Sequence, residues 1–136
     1  MISHIKPNWN VDEVKNLNYK FASFGDEALV SQYVQSGHDR FKISLFNYHE
    51  PNVMPKFIFD YIKPHFSFLN KVCLAINYFK PGQYIPPHSD LYERYMQLYD
   101  VNSKNIVRYI LMLEDSSPGQ ILQIKNSTFG TWSSGD

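Results

Sequence analysis

The sequence predicts a mainly β fold with helices in its N-terminal half, an α+β arrangement in one domain. Two apolar runs rich in strand formers, Val72-Cys-Leu-Ala-Ile-Asn-Tyr-Phe79 and Ile106-Val-Arg-Tyr-Ile-Leu-Met-Leu113, supply the β character. Residues 26–37 and 55–63 instead repeat apolar side chains at helical spacing. No repeat, low-complexity tract or linker divides the 136 residues, enough chain for one core. A hydrophobic content of 43% with 16% aromatics is that of a folding chain.

Each element has a local reason. Asp26-Glu-Ala-Leu-Val-Ser-Gln-Tyr-Val-Gln-Ser-Gly37 begins acidic and ends on glycine, the signature of a short helix. Phe41-Lys-Ile-Ser-Leu-Phe46 reads as a strand. In Pro55–Lys63 a proline occupies an allowed first-turn position, and Pro64 stops the helix that follows. After the Val72–Phe79 strand, Pro81-Gly82 supplies a turn and Tyr84-Ile85 resumes an extended segment ending in Pro86-Pro87.

Leu91–Tyr99 places Tyr92, Tyr95 and Tyr99 at i, i+3 and i+7. That spacing suits a helical stripe packed in the core, and a position beside a candidate ligand equally suits a substrate wall. Ile106–Leu113 is the strongest strand candidate, apolar enough to lie inside a two-sheet sandwich. Ser116-Ser-Pro-Gly-Gln120 would then be the hairpin turn joining it to Ile121–Lys125.

Thirteen basic and thirteen acidic residues cancel, so charge makes no case for nucleic acid or an anionic membrane as partner. The single cysteine, Cys73, sits among apolar neighbours, which predicts a buried, inert thiol and excludes a disulfide framework. The N-terminus lacks the apolar core of a signal peptide, and no run approaches the ~18 apolar residues of a membrane span. A cytoplasmic protein is expected.

The chemistry concentrates at His88-Ser-Asp90. Side chains alternate along an extended chain, so positions i and i+2 point to one side and can reach one cation. An imidazole and a carboxylate, completed by a second imidazole, form the facial triad that holds Fe(II) with open positions for co-substrate and oxygen. The third ligand has no counterpart here. His4, His38, His49 and His65 lie in turn-like or terminal settings, where surface or capping roles are usual.

Several pieces occur in a fixed order: Asn77-Tyr78-Phe-Lys-Pro-Gly82 before His88-Ser-Asp90, then Ile106–Asp115 with Arg108, Pro118-Gly-Gln120, and Trp132-Ser-Ser-Gly-Asp136. From about Lys71 onward, over half of the chain, this order resembles the iron(II)/2-oxoglutarate-dependent oxygenases, particularly the compact forms encoded by bacteriophages. The resemblance implies a double-stranded β-helix, or jelly roll, incomplete at its C-terminus. Residues 1–69 would be helical and strand support, and residues 70–136 the core strands. Fe(II) would be held by His88 and Asp90. The distal His and the Arg or Lys that grips the 2-oxoglutarate tail would follow Asp136, so a C-terminal truncation is expected. Trp132, Gly135 and Asp136 are structural in this reading, the glycine supplying the backbone angles of a tight turn.

The same resemblance gives the Tyr78 hydroxyl to a 2-oxoglutarate carboxylate, with a tyrosine bonded to backbone as the plainer reading. Arg108 needs an anion, because an isolated buried charge costs several kcal/mol. Guanidinium geometry suits a carboxylate, either a protein Asp/Glu or 2-oxoglutarate, and the resemblance favours the co-substrate. Tyr92 and Tyr95 become candidate substrate contacts. The implied activity is oxidative decarboxylation of 2-oxoglutarate by O2, coupled to hydroxylation of an unknown substrate. This 136-residue chain alone is expected to be inactive. The alternative is a non-catalytic jelly-roll or cupin-like binding module, or a phage accessory piece, since a fold does not establish a function. A phage-encoded protein would work in the host cytoplasm.

Overall fold

The structure, a computed structural model, describes residues 3–48 and 56–136. Its helices are α1 (Val11–Lys15), α2 (Glu27–Gln35), α3 (Lys56–Ile62) and α4 (Glu93–Tyr99). The strands are β1 (Lys20–Ser23), β2 (Ser44–Tyr48), β3 (Ile76–Tyr78), β4 (Leu122–Ile124) and β5 (Ser127–Phe129). Among the described residues no helix is long and apolar enough to cross a membrane. Contacts group these residues into two compact units, each discontinuous in sequence: a sheet unit (15–48 and 73–89) and a hairpin unit (3–14, 56–72 and 90–136).

In the sheet unit β2 lies between β1 and β3, both antiparallel to it, with Phe21 opposite Phe46 and Phe46 opposite Tyr78. Ladder pairing continues past the strands, where Phe24 N–H donates to the Ile43 carbonyl at 3.4 Å and Tyr84 N–H to the Lys42 carbonyl at 3.0 Å. Helix α2 forms where its sequence signals place it. The Asp26 carboxylate accepts from Leu29 N–H at 3.0 Å, satisfying one of the donors a helix start leaves open. At the other end Gly37 takes φ +92° and its N–H reaches the Val34 carbonyl at 3.0 Å, a left-handed stop that glycine adopts without strain. Among the described residues of this unit, Val30, Ile43, Ser44, Ile76 and Pro86 are buried.

Two sequence expectations shorten here. The Phe41–Phe46 strand begins only at Ser44, because Asp39 caps Phe41 N–H at 2.9 Å and turns Arg40–Lys42 into a 3-10 turn. Of Val72–Phe79 only Ile76–Tyr78 is strand, the portion that has β2 beside it to accept its backbone bonds. Cys73 is half-buried rather than buried.

The hairpin unit carries a larger correction. Ile106–Leu113 forms no regular strand, and Val107, Tyr109 and Ile110 are exposed at 61%, 51% and 47%. No neighbouring strand flanks its first half among the described residues, so apolarity alone cannot hold a ladder there. Its second half does find a partner. Gly135 N–H donates to the Met112 carbonyl at 2.7 Å, Met112 N–H to the Asp136 carbonyl at 2.8 Å, and Ser116 N–H to the Trp132 carbonyl at 3.0 Å. Residues 112–116 and 132–136 therefore run antiparallel as the outer arms of a long hairpin.

The Ser116–Gln120 turn forms, with Gly119 at φ +89° and Gln120 N–H on the Ser117 carbonyl at 3.1 Å. It does not pair the strands expected. Leu122–Ile124 pairs instead with Ser127–Phe129, Leu122 opposite Phe129, across the two-residue connection Lys125-Asn126 in which Lys125 has φ +53°.

Helix α3 ends at Ile62 and continues as the 3-10 turn Lys63–Phe66; Pro55 lies outside the described residues, as does His49. Trp9, Val14, Ile62 and Gly135 are buried, and the Trp9 indole N–H donates to the Leu113 carbonyl at 2.8 Å.

Gly135 joins three stretches distant in sequence. It has φ +99°, donates to Met112, and accepts from Ile5 N–H at 2.8 Å; a Cβ there would overlap the Ile5 carbonyl oxygen. Asp136 fastens the same place: its carboxylate accepts from Ser133 N–H at 2.8 Å and meets His4 Nδ1 at 3.1 Å.

Gly135→Ala should lower stability by about 2 to 4 kcal/mol, combining a strained backbone with a steric overlap, as read by urea unfolding. Asp136 supplies a pH signature. The Ser133 N–H bond first, and the His4 ring second, hold its carboxyl below the ordinary value of 3.8. A folded-state value below the unfolded one contributes stability above the unfolded value and loses it as pH falls through the folded value. The stability difference between wild type and Asp136→Asn should therefore narrow between neutral pH and about pH 3.

Candidate functional site

The segment bearing His88 is held by the sheet unit. Gly82 takes φ +79° in the Pro81-Gly82 turn, and Gln83 closes that turn from both sides, its N–H on the Lys80 carbonyl at 3.0 Å and its side-chain oxygen accepting from Lys80 N–H at 2.7 Å. The Gln83 amide also reaches the buried Ser44 hydroxyl at 3.2 Å. With Tyr84 N–H on Lys42 and Pro86 buried, the chain enters Pro87-His88 along a fixed path.

His88 Nδ1 lies 2.8 Å from the Pro86 carbonyl oxygen. A carbonyl only accepts, so Nδ1 carries the proton, and in the neutral ring Nε2 carries the lone pair. That is the arrangement of metal-binding histidines, whose second nitrogen donates to a carbonyl or carboxylate that fixes tautomer and ring orientation. The Phe24 ring stands edge-on to the imidazole, centroids 4.9 Å apart, and limits its rotation further.

Asp90 belongs to the hairpin unit, where Arg108 Nη1 donates to its Oδ2. Side-chain exposures of 31% for Asp90 and 45% for Arg108 leave the pair partly in water. Of the two readings of Arg108, its described partner is thus a protein carboxylate. The pairing occupies one of the roughly four lone-pair sites of a carboxylate and orients the rest, as outer partners of ligating carboxylates do. Each by itself is a donor type that Fe(II) accepts, an imidazole nitrogen on the sheet unit and a carboxylate oxygen on the hairpin unit. Among the described residues no three His, Cys, Asp or Glu side chains come together to hold a metal.

Tyr78 follows the alternation expected of β3: Ile76 is buried, Asn77 exposed and Tyr78 half-buried. Its ring packs on Tyr19 with centroids 5.5 Å apart. The expected i, i+3, i+7 tyrosine stripe divides, because α4 begins at Glu93. Tyr92 stands outside the helix at φ +57°, while the Tyr95 and Tyr99 rings meet at a tilt of 53° with centroids 4.6 Å apart. The Tyr95 hydroxyl donates to the Lys71 carbonyl at 2.6 Å, which leaves its ring as the surface it presents. That ring borders a cavity of about 510 Å3 in the hairpin unit, walled also by Phe68, Ile106 and Val107.

Sequence reasoning missed two features. The buried Tyr84 hydroxyl has no hydrogen-bond partner among the described residues, and burial, then Tyr33 and Asp39, push its ionisation upward. Its ring lies among Tyr33 and His38, centroids 6.1 and 5.5 Å away. No signal in the sequence marks it, because the Pro81-Gly82 turn breaks the alternation between Tyr78 and Tyr84. The second feature is the contribution of Asn70, Lys71 and Asn105 to the cavity, which no motif marks.

Arg108→Ala should cost less than about 1 kcal/mol in urea unfolding, because a part-exposed ion pair is screened and pays side-chain entropy. A loss of several kcal/mol would mean that the pair is sealed from water.

No family model, no curated protein and no solved structure matches the chain.

Proposed function

We propose that the protein is an Fe(II)- and 2-oxoglutarate-dependent dioxygenase, a hydroxylase of unknown substrate, on a double-stranded β-helix scaffold. The observation that carries the reading is the His88 Nδ1 bond to Pro86, which prepares Nε2 as a ligand atom two residues before a carboxylate. The order of the surrounding motifs supports it. His88 and Asp90 would hold the iron, together with a distal His that the described residues do not supply. Bound there, iron and 2-oxoglutarate would supply the oxidising chemistry; the protein binds, orients and excludes water.

In this reading the chain's own residues have separate tasks. The Pro86 carbonyl and Phe24 ring hold the His88 imidazole in one tautomer and one orientation. Arg108 holds the Asp90 carboxylate, and remains a candidate for a 2-oxoglutarate carboxylate if that anion displaces or shares the contact. The Tyr78 hydroxyl is the other candidate for 2-oxoglutarate, and Tyr92 and Tyr95 for substrate.

The Arg108–Asp90 pair also favours a second reading, a non-catalytic jelly-roll or cupin-like binding module, because it already satisfies both charges without a metal. Turnover separates the two. The protein expressed from its complete reading frame should convert 2-oxoglutarate to succinate in the presence of Fe(II) and O2, and His88→Ala should abolish this while leaving the circular dichroism spectrum unchanged. Succinate formation that persists in His88→Ala would remove His88 from the site. Its absence from the wild type would leave the binding module.

A further inference from the structure

The cavity in the hairpin unit has a chemistry that the metal reading does not use. Its volume of about 510 Å3 is that of a small-molecule site. The apolar part of its wall is Phe68, Ile106 and Val107, of which Phe68 and Val107 are 65% and 61% exposed. Such large exposed side chains around one hollow leave apolar area that a ligand would remove from water.

The polar part is one-sided in charge. Asn70, Asn105 and Lys71 line the cavity, and among the described residues no carboxylate does. The Lys71 ammonium is tethered rather than free to sweep: it donates to the Tyr99 carbonyl at 2.7 Å and lies 5.8 Å from the centroid of the Tyr99 ring. The Lys71 carbonyl is tied in turn by the Tyr95 hydroxyl. An ammonium has three donors, and the Tyr99 carbonyl takes one. Among the described residues no carboxylate pairs with Lys71. A fixed cation beside two amides and an apolar wall is complementary to a molecule with an anionic head and an apolar body.

We propose that this cavity binds an amphipathic organic anion, a carboxylate carried on an aromatic or branched aliphatic body. The carboxylate pairs with Lys71 and takes hydrogen bonds from the Asn70 and Asn105 amides. The body lies against Phe68, Ile106 and Val107. The site stands on the hairpin unit alone and does not depend on iron at His88 and Asp90.

The probes are 2-naphthoate and its uncharged analogue 2-naphthalenemethanol, titrated separately into the 136-residue chain and followed by protein NMR. Naphthoate should bind at least about tenfold more tightly, a difference of ~1.4 kcal/mol. The shifts should fall on the Asn70 and Asn105 side-chain amides and on the Ile106 and Val107 methyl groups. Lys71→Gln should bring the two affinities to within about twofold, and Lys71→Arg, which keeps the charge, should retain the preference. Equal binding of the two probes, shifts confined to other residues, or no binding of either would overturn the proposal. The wild-type titrations decide it even where a Lys71 variant fails to fold.

Discussion

The hairpin unit depends on one backbone position. Gly135 is where the segment at Ile5, the chain at Met112 and the Trp132–Asp136 turn exchange hydrogen bonds, and it can do so only because it lacks a Cβ. The outer arms of the hairpin, 112–116 and 132–136, are paired from that point outward. A local steric rule therefore carries contacts between residues more than a hundred positions apart in sequence.

The sheet unit solves a different problem with the same economy of means. Backbone bonds at Lys42 and Ile43 extend the sheet beyond its three regular strands, and Gln83 links the Pro81-Gly82 turn to Ser44. The result is that Pro86 is buried and His88 is presented with its Nδ1 already bonded. In the hairpin unit Asp90 is held by Arg108. His88 and Asp90 thus each have a partner that orients the side chain, a feature that residue identity alone does not reveal.

Elements with a local cause were legible in the sequence. Asp26 and Gly37 delimit α2 because a cap and a left-handed glycine act within one turn. Pro81-Gly82 makes its turn for the same reason. The alternation that sets Asn77 and Tyr78 on opposite faces held as well. Strand identity failed where it depended on partners distant in sequence. Ile106–Leu113 has the composition of a strand, but a strand exists only where a neighbour accepts its backbone bonds, and only Met112 and the residues after it have one. The Leu122–Phe129 hairpin was missed because Lys125-Asn126 lacks the glycine that marks most such turns. At the site, His88, Asp90 and Arg108 were legible as residue types. The sequence leaves Arg108 either a protein carboxylate or 2-oxoglutarate as partner without singling out Asp90, and the Pro86 bond and the cavity beside Tyr95 are properties of the folded chain.

The central claim is that His88 is prepared as a metal ligand through Nε2. Long-range 15N NMR of its imidazole, before and after addition of Zn(II) as a diamagnetic stand-in for Fe(II), tests it directly. The expected result is a ring protonated at Nδ1 in the free protein, and a shift at Nε2 when the metal is added, with Nδ1 still protonated. A ring protonated at Nε2, or nitrogen resonances that ignore the metal, would contradict it.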